Sequence, residues 1–175
     1  MAPEQDLLEL AKRVGQRLLA VRCRLVTAES CTAGWISKAV TDVAGSSQWF
    51  ECGYVVYSNS AKVRDLGVAE QTIEKHGSVS DAAVREMAEG ALRVSGVEVA
   101  VAVSGIAGPD GGTPDKPVGT VWFGAAVRRG TTIDLVSKVE LFPGDRDAVR
   151  RRTVEHAMQL LLRLELPQSG GKSGM

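Results

Sequence analysis

The stretch Thr27-Ala-Glu-Ser-Cys-Thr-Ala-Gly34 puts a serine where a short β-rich run, Arg24 to Ala28, gives way to a segment, Ser30 to Val43, with apolar residues at helical intervals. At such a junction backbone N–H groups are unpaired and the helix dipole favours negative charge. A hydroxyl there sits beside donors for an oxyanion, so Ser30 reads as a nucleophile, with a helix N-cap as its plainer alternative. No histidine lies near it in the chain to act as base. Lys62 is the better base, because it falls in the first turn of a helix capped by Asn59. The positive helix end and burial would both lower its pKa toward the range useful for proton transfer. Tyr57, at the end of the preceding strand, is placed to relay or orient that proton. Taken singly, a lysine is usually a solvated surface residue and a tyrosine a core aromatic, so the three carry meaning only together.

A second candidate region is Ser104-Gly-Ile-Ala-Gly-Pro-Asp-Gly-Gly112, which follows an apolar run, Val97 to Val103. Open α/β sheets bind ligands at the C-terminal ends of their strands. Glycines let backbone N–H groups approach an anion, and Arg146 and Arg150, one helical turn apart, are suited to a phosphate. The plainer reading is a crossover loop and two solvated arginines. Two other patterns are coincidences. Gly171-Lys172-Ser173 ends like a phosphate-binding loop, but position 166 is Leu rather than Gly, and Tyr57 and Lys62 are five apart where a dehydrogenase pair needs four.

The elements that must hold these residues follow from periodicity. Glu4 to Ala20 is an amphipathic helix, Phe50 to Tyr57 a strand, Ser58-Asn59 the start of a helix through Leu66, and Gln71 to His76 a further turn. Ser80 to Val94 is helical, and the unbroken apolar run Val97 to Val103 is a strand buried on both faces. Val118 to Val127 and Thr132 to Leu141 form a hairpin about Gly130, and Asp145 caps a last helix. Helices before, between and after strands predict a single-domain three-layer α/β/α fold with a mixed sheet over residues 3–166. The Gly/Ser/Lys tail from Pro167 is expected to be disordered.

Twenty-one basic and 21 acidic residues leave no net field to gather nucleic acid. No apolar stretch spans a bilayer and Met1 to Gln5 is not a signal peptide, so the chain is expected to be cytoplasmic. Cys23, Cys31 and Cys52 include no C-x-x-C pair, and His76 and His156 stand apart, which argues against disulfides and against a metal.

Seven blocks resemble the CinA C-terminal domain family. They are Thr27 to Gly34, Gly45-Ser-Ser-Gln-Trp-Phe50, Tyr57-Ser-Asn-Ser-Ala-Lys62, His76-Gly-Ser-Val-Ser80, Ser104 to Gly112, Lys116-Pro-Val-Gly-Thr-Val121 and Gly144-Asp-Arg-Asp-Ala-Val-Arg150. The resemblance is strongest to the family's stand-alone nicotinamide-nucleotide amidases. It implies that Ser30 attacks the carboxamide of nicotinamide mononucleotide, with Lys62 as base and Tyr57 in support, and that the backbone N–H groups of Cys31 and Thr32 hold the oxyanion. It also implies that Ser46, Asn59, Ser104, Gly105, Ala107, Gly108 and Arg146 hold the nucleotide, that no cofactor or metal takes part, and that the chain forms a homodimer. Ala33 departs from the family's usual glycine. The metal-dependent N-terminal domain of the larger relatives is lacking, so no metal-dependent hydrolysis is expected. The competing readings are a Cys31 thiol amidase and a regulatory module that binds a nucleotide without catalysis.

Overall fold

The computed structural model describes residues 3–167, so the tail expected beyond Pro167, with Gly171-Lys172-Ser173, lies outside the described residues. Five strands form one mixed sheet: β1 (Leu25–Glu29), β2 (Phe50–Val55), β3 (Val99–Gly105), β4 (Thr120–Arg129) and β5 (Thr132–Leu141), in the order β2-β1-β3-β4-β5. β1 is parallel to both β2 and β3, as the helical crossovers between them require. β3, β4 and β5 run antiparallel, joined by the glycine-rich loop and by the turn at Gly130.

Successive residues of a strand face opposite sides, and the two central strands are apolar on both. Leu25, Val99, Val101, Val103 and Phe123 face a layer made by α1 (Pro3–Val21), α2 (Trp35–Thr41) and α6 (Arg146–Arg163). Leu7, Ala11, Val14 and Leu18 from α1 and Val149, Ala157 and Leu161 from α6 close that core. Val26, Ala28, Ala100, Ala102 and Ala126 face α3 (Asn59–Leu66) and α5 (Asp81–Ser95), whose Leu66, Met87, Ala88 and Leu92 are buried there. The strand residues on this second face are small, which lets α5 come close. A Cβ at Gly124 would overlap the Val84 carbonyl of that helix. α4 (Glu70–His76) has no fully buried residue, and its Ile73 packs against the margin of the second core.

The three-layer α/β/α reading therefore holds, with instructive departures at element ends. The helix expected from Ser30 begins only at Trp35, because Ala33 (φ 50°) and Gly34 (φ 92°) are left-handed and residues 31–34 form turns. The cap of α3 is Ser58, whose hydroxyl accepts from Ala61 N at 3.1 Å, rather than Asn59, which is the first helical residue. β2 ends at Val55, so Tyr57 follows the strand. Among the described residues no helix is long and apolar enough to cross a membrane.

Candidate active site

The parallel strands end together: Glu29 is in register with Val55 of β2 and Val103 of β3. Beyond that line Ser30 N donates to Val103 O at 3.1 Å and Val56 N donates to Glu29 O at 2.9 Å, so the chain leaving β1 is fixed between the ends of its neighbours. The Ser58 cap then starts α3 at once, which brings Lys62 back over the strand ends. Lys62 Nζ donates to Ser30 Oγ at 3.0 Å, to Val56 O at 2.9 Å and to Tyr57 O at 3.1 Å. Lys62 is 1% exposed and Ser30 7%, and no described ion pair includes Lys62. Burial without a compensating acid lowers its pKa from 10.5 to about 8. A lysine so placed is an amine for part of its time at mildly alkaline pH, within reach of the proton it would have to take.

Glu29, to which the residue pattern assigned no role, organises the turn behind Ser30. Its buried carboxyl accepts from Gly34 N (3.1 Å), Ile36 N (2.9 Å) and Ser37 N (2.8 Å). It also accepts from the hydroxyls of Thr27 (3.2 Å), Thr32 (2.7 Å) and Ser37 (2.7 Å). The amides at the start of α2 are thereby spent on Glu29, which corrects the expectation that they face a ligand. Within the turn itself, no described backbone acceptor takes the N–H of Cys31 or Thr32. The signal was present in the alternation of Thr27 and Glu29 on one strand face, with Thr32 and Ser37 following. Gly53 of β2 completes the arrangement, since a Cβ there would overlap Ser37 Oγ.

Ser30 and Lys62 open into a cavity of about 210 Å³. Cys31, Tyr57, Ser104, Gly105, Ala107 and Arg146 also line it, as do Ser78 and Val79, which the sequence reading had not singled out. Their marker was the block His76 to Ser80, and the Ser104 hydroxyl donates to Ser78 O at 2.7 Å, joining the two loops. Arg146 donates to Gly108 O at 2.9 Å and to the Tyr57 phenol oxygen at 3.4 Å. Tyr57 is 61% exposed, so its ring stands at the cavity mouth and its contact with Lys62 runs through the backbone carbonyl.

Three expected residues lie elsewhere. Ser46 begins a 3₁₀ turn ahead of β2, at the opposite end of the sheet, roughly 15–20 Å from Ser30 at about 3.3 Å per strand residue. Asn59 is exposed on a groove between α3 and α4 with Ser60, Val63 and Glu70. Arg150 gives its N–H groups to the carbonyls of Cys31 (3.0 Å) and Thr32 (3.1 Å), which leaves it placed as a structural clamp rather than a phosphate ligand. The larger grooves, about 600 Å³ between α3 and α4 and about 470 Å³ between β5 and α6, include no nucleophile beside a base. The Cys31 thiol is pushed up to about 12 by burial, so proximity to a helix start has not activated it. Among the described residues no group of three or more His, Cys, Asp or Glu is placed to hold a metal ion.

The CinA C-terminal domain model matches residues 7–164. The nicotinamide-nucleotide amidohydrolase PncC of Escherichia coli K12 is 52% identical over 158 residues, 90% of this chain and 94% of that protein. The protein of the same name from Pseudomonas putida is 51% identical over 89% of this chain and 94% of its own length. The crystal structure of the competence damage-inducible protein A from Klebsiella pneumoniae superposes with a TM-score of 0.84 at 38% identity, covering 89% of this chain and 94% of that one.

Proposed function

The chain belongs to the CinA C-terminal domain family, and from that premise we propose that it hydrolyses nicotinamide mononucleotide to nicotinate mononucleotide and ammonia, with Ser30 as nucleophile and Lys62 as its base. One observation carries the mechanism: the 3.0 Å contact between Lys62 Nζ and Ser30 Oγ in a buried site. The name of the Escherichia coli relative supplies the substrate class.

In its amine form Lys62 takes the hydroxyl proton as Ser30 Oγ bonds to the carboxamide carbon. The carbonyl electron pair moves onto oxygen, where the N–H groups of Cys31 and Thr32 stabilise it. As the tetrahedral species collapses, the C–N bond breaks, the proton on Lys62 passes to nitrogen, and ammonia leaves. Water then attacks the Ser30 ester while Lys62 takes its proton. That proton returns to Ser30 Oγ as the ester C–O bond breaks, and the acid released gives its remaining proton to solvent to leave as the carboxylate. The carbonyls of Val56 and Tyr57 hold Nζ through both halves of the cycle. Tyr57 thus supports the base through its backbone, while its phenol meets the substrate beside Arg146. The Arg146 guanidinium suits the phosphate, and Ser104, Gly105, Ala107 and Gly108 border the ribose and ring.

The test is ammonia release from nicotinamide mononucleotide by the purified protein in EDTA, beside Ser30→Ala. Release is expected to survive EDTA and to fall about 10³-fold or more in the variant. Calorimetric binding of the nucleotide with no ammonia from the wild-type protein would instead make the chain a nucleotide-binding module.

A further inference from the structure

Arg150 lies one turn beyond Arg146 on α6, behind the serine turn and outside the Ser30 cavity. Its Nε donates to Cys31 O at 3.0 Å and its Nη2 to Thr32 O at 3.1 Å, while the guanidinium stands 5.6 Å over the Trp35 ring. The neighbouring Val149 and Thr153 are fully buried, so this part of α6 is anchored. Thr32 is held on its other side by Glu29, which accepts from its hydroxyl at 2.7 Å, and Trp35 N donates to its carbonyl at 3.1 Å. Hydroxyl and carbonyl are therefore both committed. The remaining polar group of Thr32 is its backbone N–H, which among the described residues has no acceptor although the residue is fully buried. Buried amides are almost always paired, so this N–H, unlike the turn's amides that Glu29 takes, remains a donor available to a substrate oxygen.

The direction of that N–H follows from peptide geometry. In a planar trans peptide the carbonyl of one residue and the N–H of the next point opposite ways. The Cys31 carbonyl points at Arg150, which lies outside the Ser30 cavity, so the Thr32 N–H of the same peptide points the opposite way, away from Arg150. We infer that Arg150 is a positioning residue: by gripping the Cys31 and Thr32 carbonyls it fixes the peptide plane that aims the Thr32 N–H at the developing oxyanion. This rests on Ser30 being the nucleophile proposed above. A lysine cannot replace the guanidinium, because a single ammonium does not reproduce the planar fork that spans two carbonyls. Ala33 N donates to Ser30 O and Trp35 N to Thr32 O across the turn, but no described backbone N–H takes the Cys31 carbonyl, so no main-chain bond holds that peptide against a flip once the clamp is gone.

The experiment compares wild type, Arg150→Lys and Arg150→Ala, with ammonia release and inhibition by 3-pyridylboronic acid as readouts. A boronate bonded to Ser30 carries an oxygen at the oxyanion position, so its affinity reports the donor independently of turnover. Both variants are expected to lose about 100-fold in kcat and a similar factor in boronate affinity. KM is expected to stay within about threefold, with the pH midpoint of the rate unchanged. Millimolar guanidinium is expected to restore part of the kcat of Arg150→Ala, which a merely folded-state defect would not allow. A raised KM at unchanged kcat would overturn the inference in favour of a phosphate ligand. So would a loss that tracks the unfolded fraction in a thermal melt without guanidinium rescue. If the wild-type protein releases no ammonia, the amidase reading falls, and the boronate arm still decides the inference: equal affinity in wild type and variants, or none in any of them, refutes it.

Discussion

Replacing Lys62 by methionine tests the proposed base in two independent ways, because one displaced pKa must appear in both the rate and the stability. Burial lowers the Lys62 pKa from 10.5 to about 8. If the amine form does the chemistry, kcat/KM of the wild type rises roughly tenfold per pH unit up to about pH 8 and levels off above about pH 9. Relative to an ordinary lysine, the displacement makes the amine on the order of 300 times more abundant at pH 7. The same displacement acts on folding. Between about pH 8 and 10.5 the unfolded chain holds the proton and the native chain does not. Stability therefore rises with pH across that window, and the buried ammonium costs about 3 kcal/mol below it. Urea unfolding of wild type and Lys62→Met at pH 7, 8, 9 and 10 isolates this contribution, since the other titrating groups are common to both. The difference in unfolding free energy is expected to shift in favour of the wild type by a few kcal/mol as pH rises through the window. A flat rate profile from pH 6 to 8, a midpoint near the ordinary lysine value, or a pH-independent stability difference would each refute the assignment.

Two further outcomes follow from the turn behind the nucleophile. Cys31→Ala is expected to keep kcat within about tenfold of wild type, since a thiol with a pKa near 12 is almost never a thiolate at neutral pH; a variant that is dead while Ser30→Ala still turns over would move the nucleophile to sulfur. Ala33→Gly relieves a left-handed residue at φ 50° whose side chain is exposed. The relief is about 1–2 kcal/mol, partly offset by glycine's freedom in the unfolded chain. A rise of a few degrees in Tm by calorimetry is therefore expected, and a fall would show that Ala33 is not strained.

Apolar periodicity was enough to find the elements and to predict layers of helix on both sides of the sheet, because β1 and β3 are buried on two sides and α1, α5 and α6 on one. Its failures lie at element ends. The start of α2 was misread because cap preferences look for a hydroxyl at the helix boundary, whereas the group that takes those amides is Glu29, which lies before the turn. Arg146 and Arg150 are spaced alike with respect to a phosphate, and only their partners separate them. One reaches a loop carbonyl and a phenol at the cavity mouth, the other two carbonyls behind the serine. Ser46 and Asn59 were expected at the nucleotide because they belong to matching blocks, but a matching block records that a segment is retained and not which end of the sheet it occupies.

The position of Glu29 also bears on why Lys62 can serve as a base at all. A carboxylate paired with a buried lysine stabilises the ammonium and raises the pKa, which would leave no amine at neutral pH. Glu29 is fully buried and adjacent in sequence to the nucleophile, so such a pairing is the obvious hazard. Side chains alternate along a strand, and Glu29 is turned toward α2, where six donors accept its company. Lys62 is left with two carbonyls and one hydroxyl, which orient Nζ without a full opposing charge. The polar cluster around Glu29 and the lowered pKa of Lys62 are in this sense one design: the acid is satisfied on one side of the strand so that the amine can go without an acid on the other.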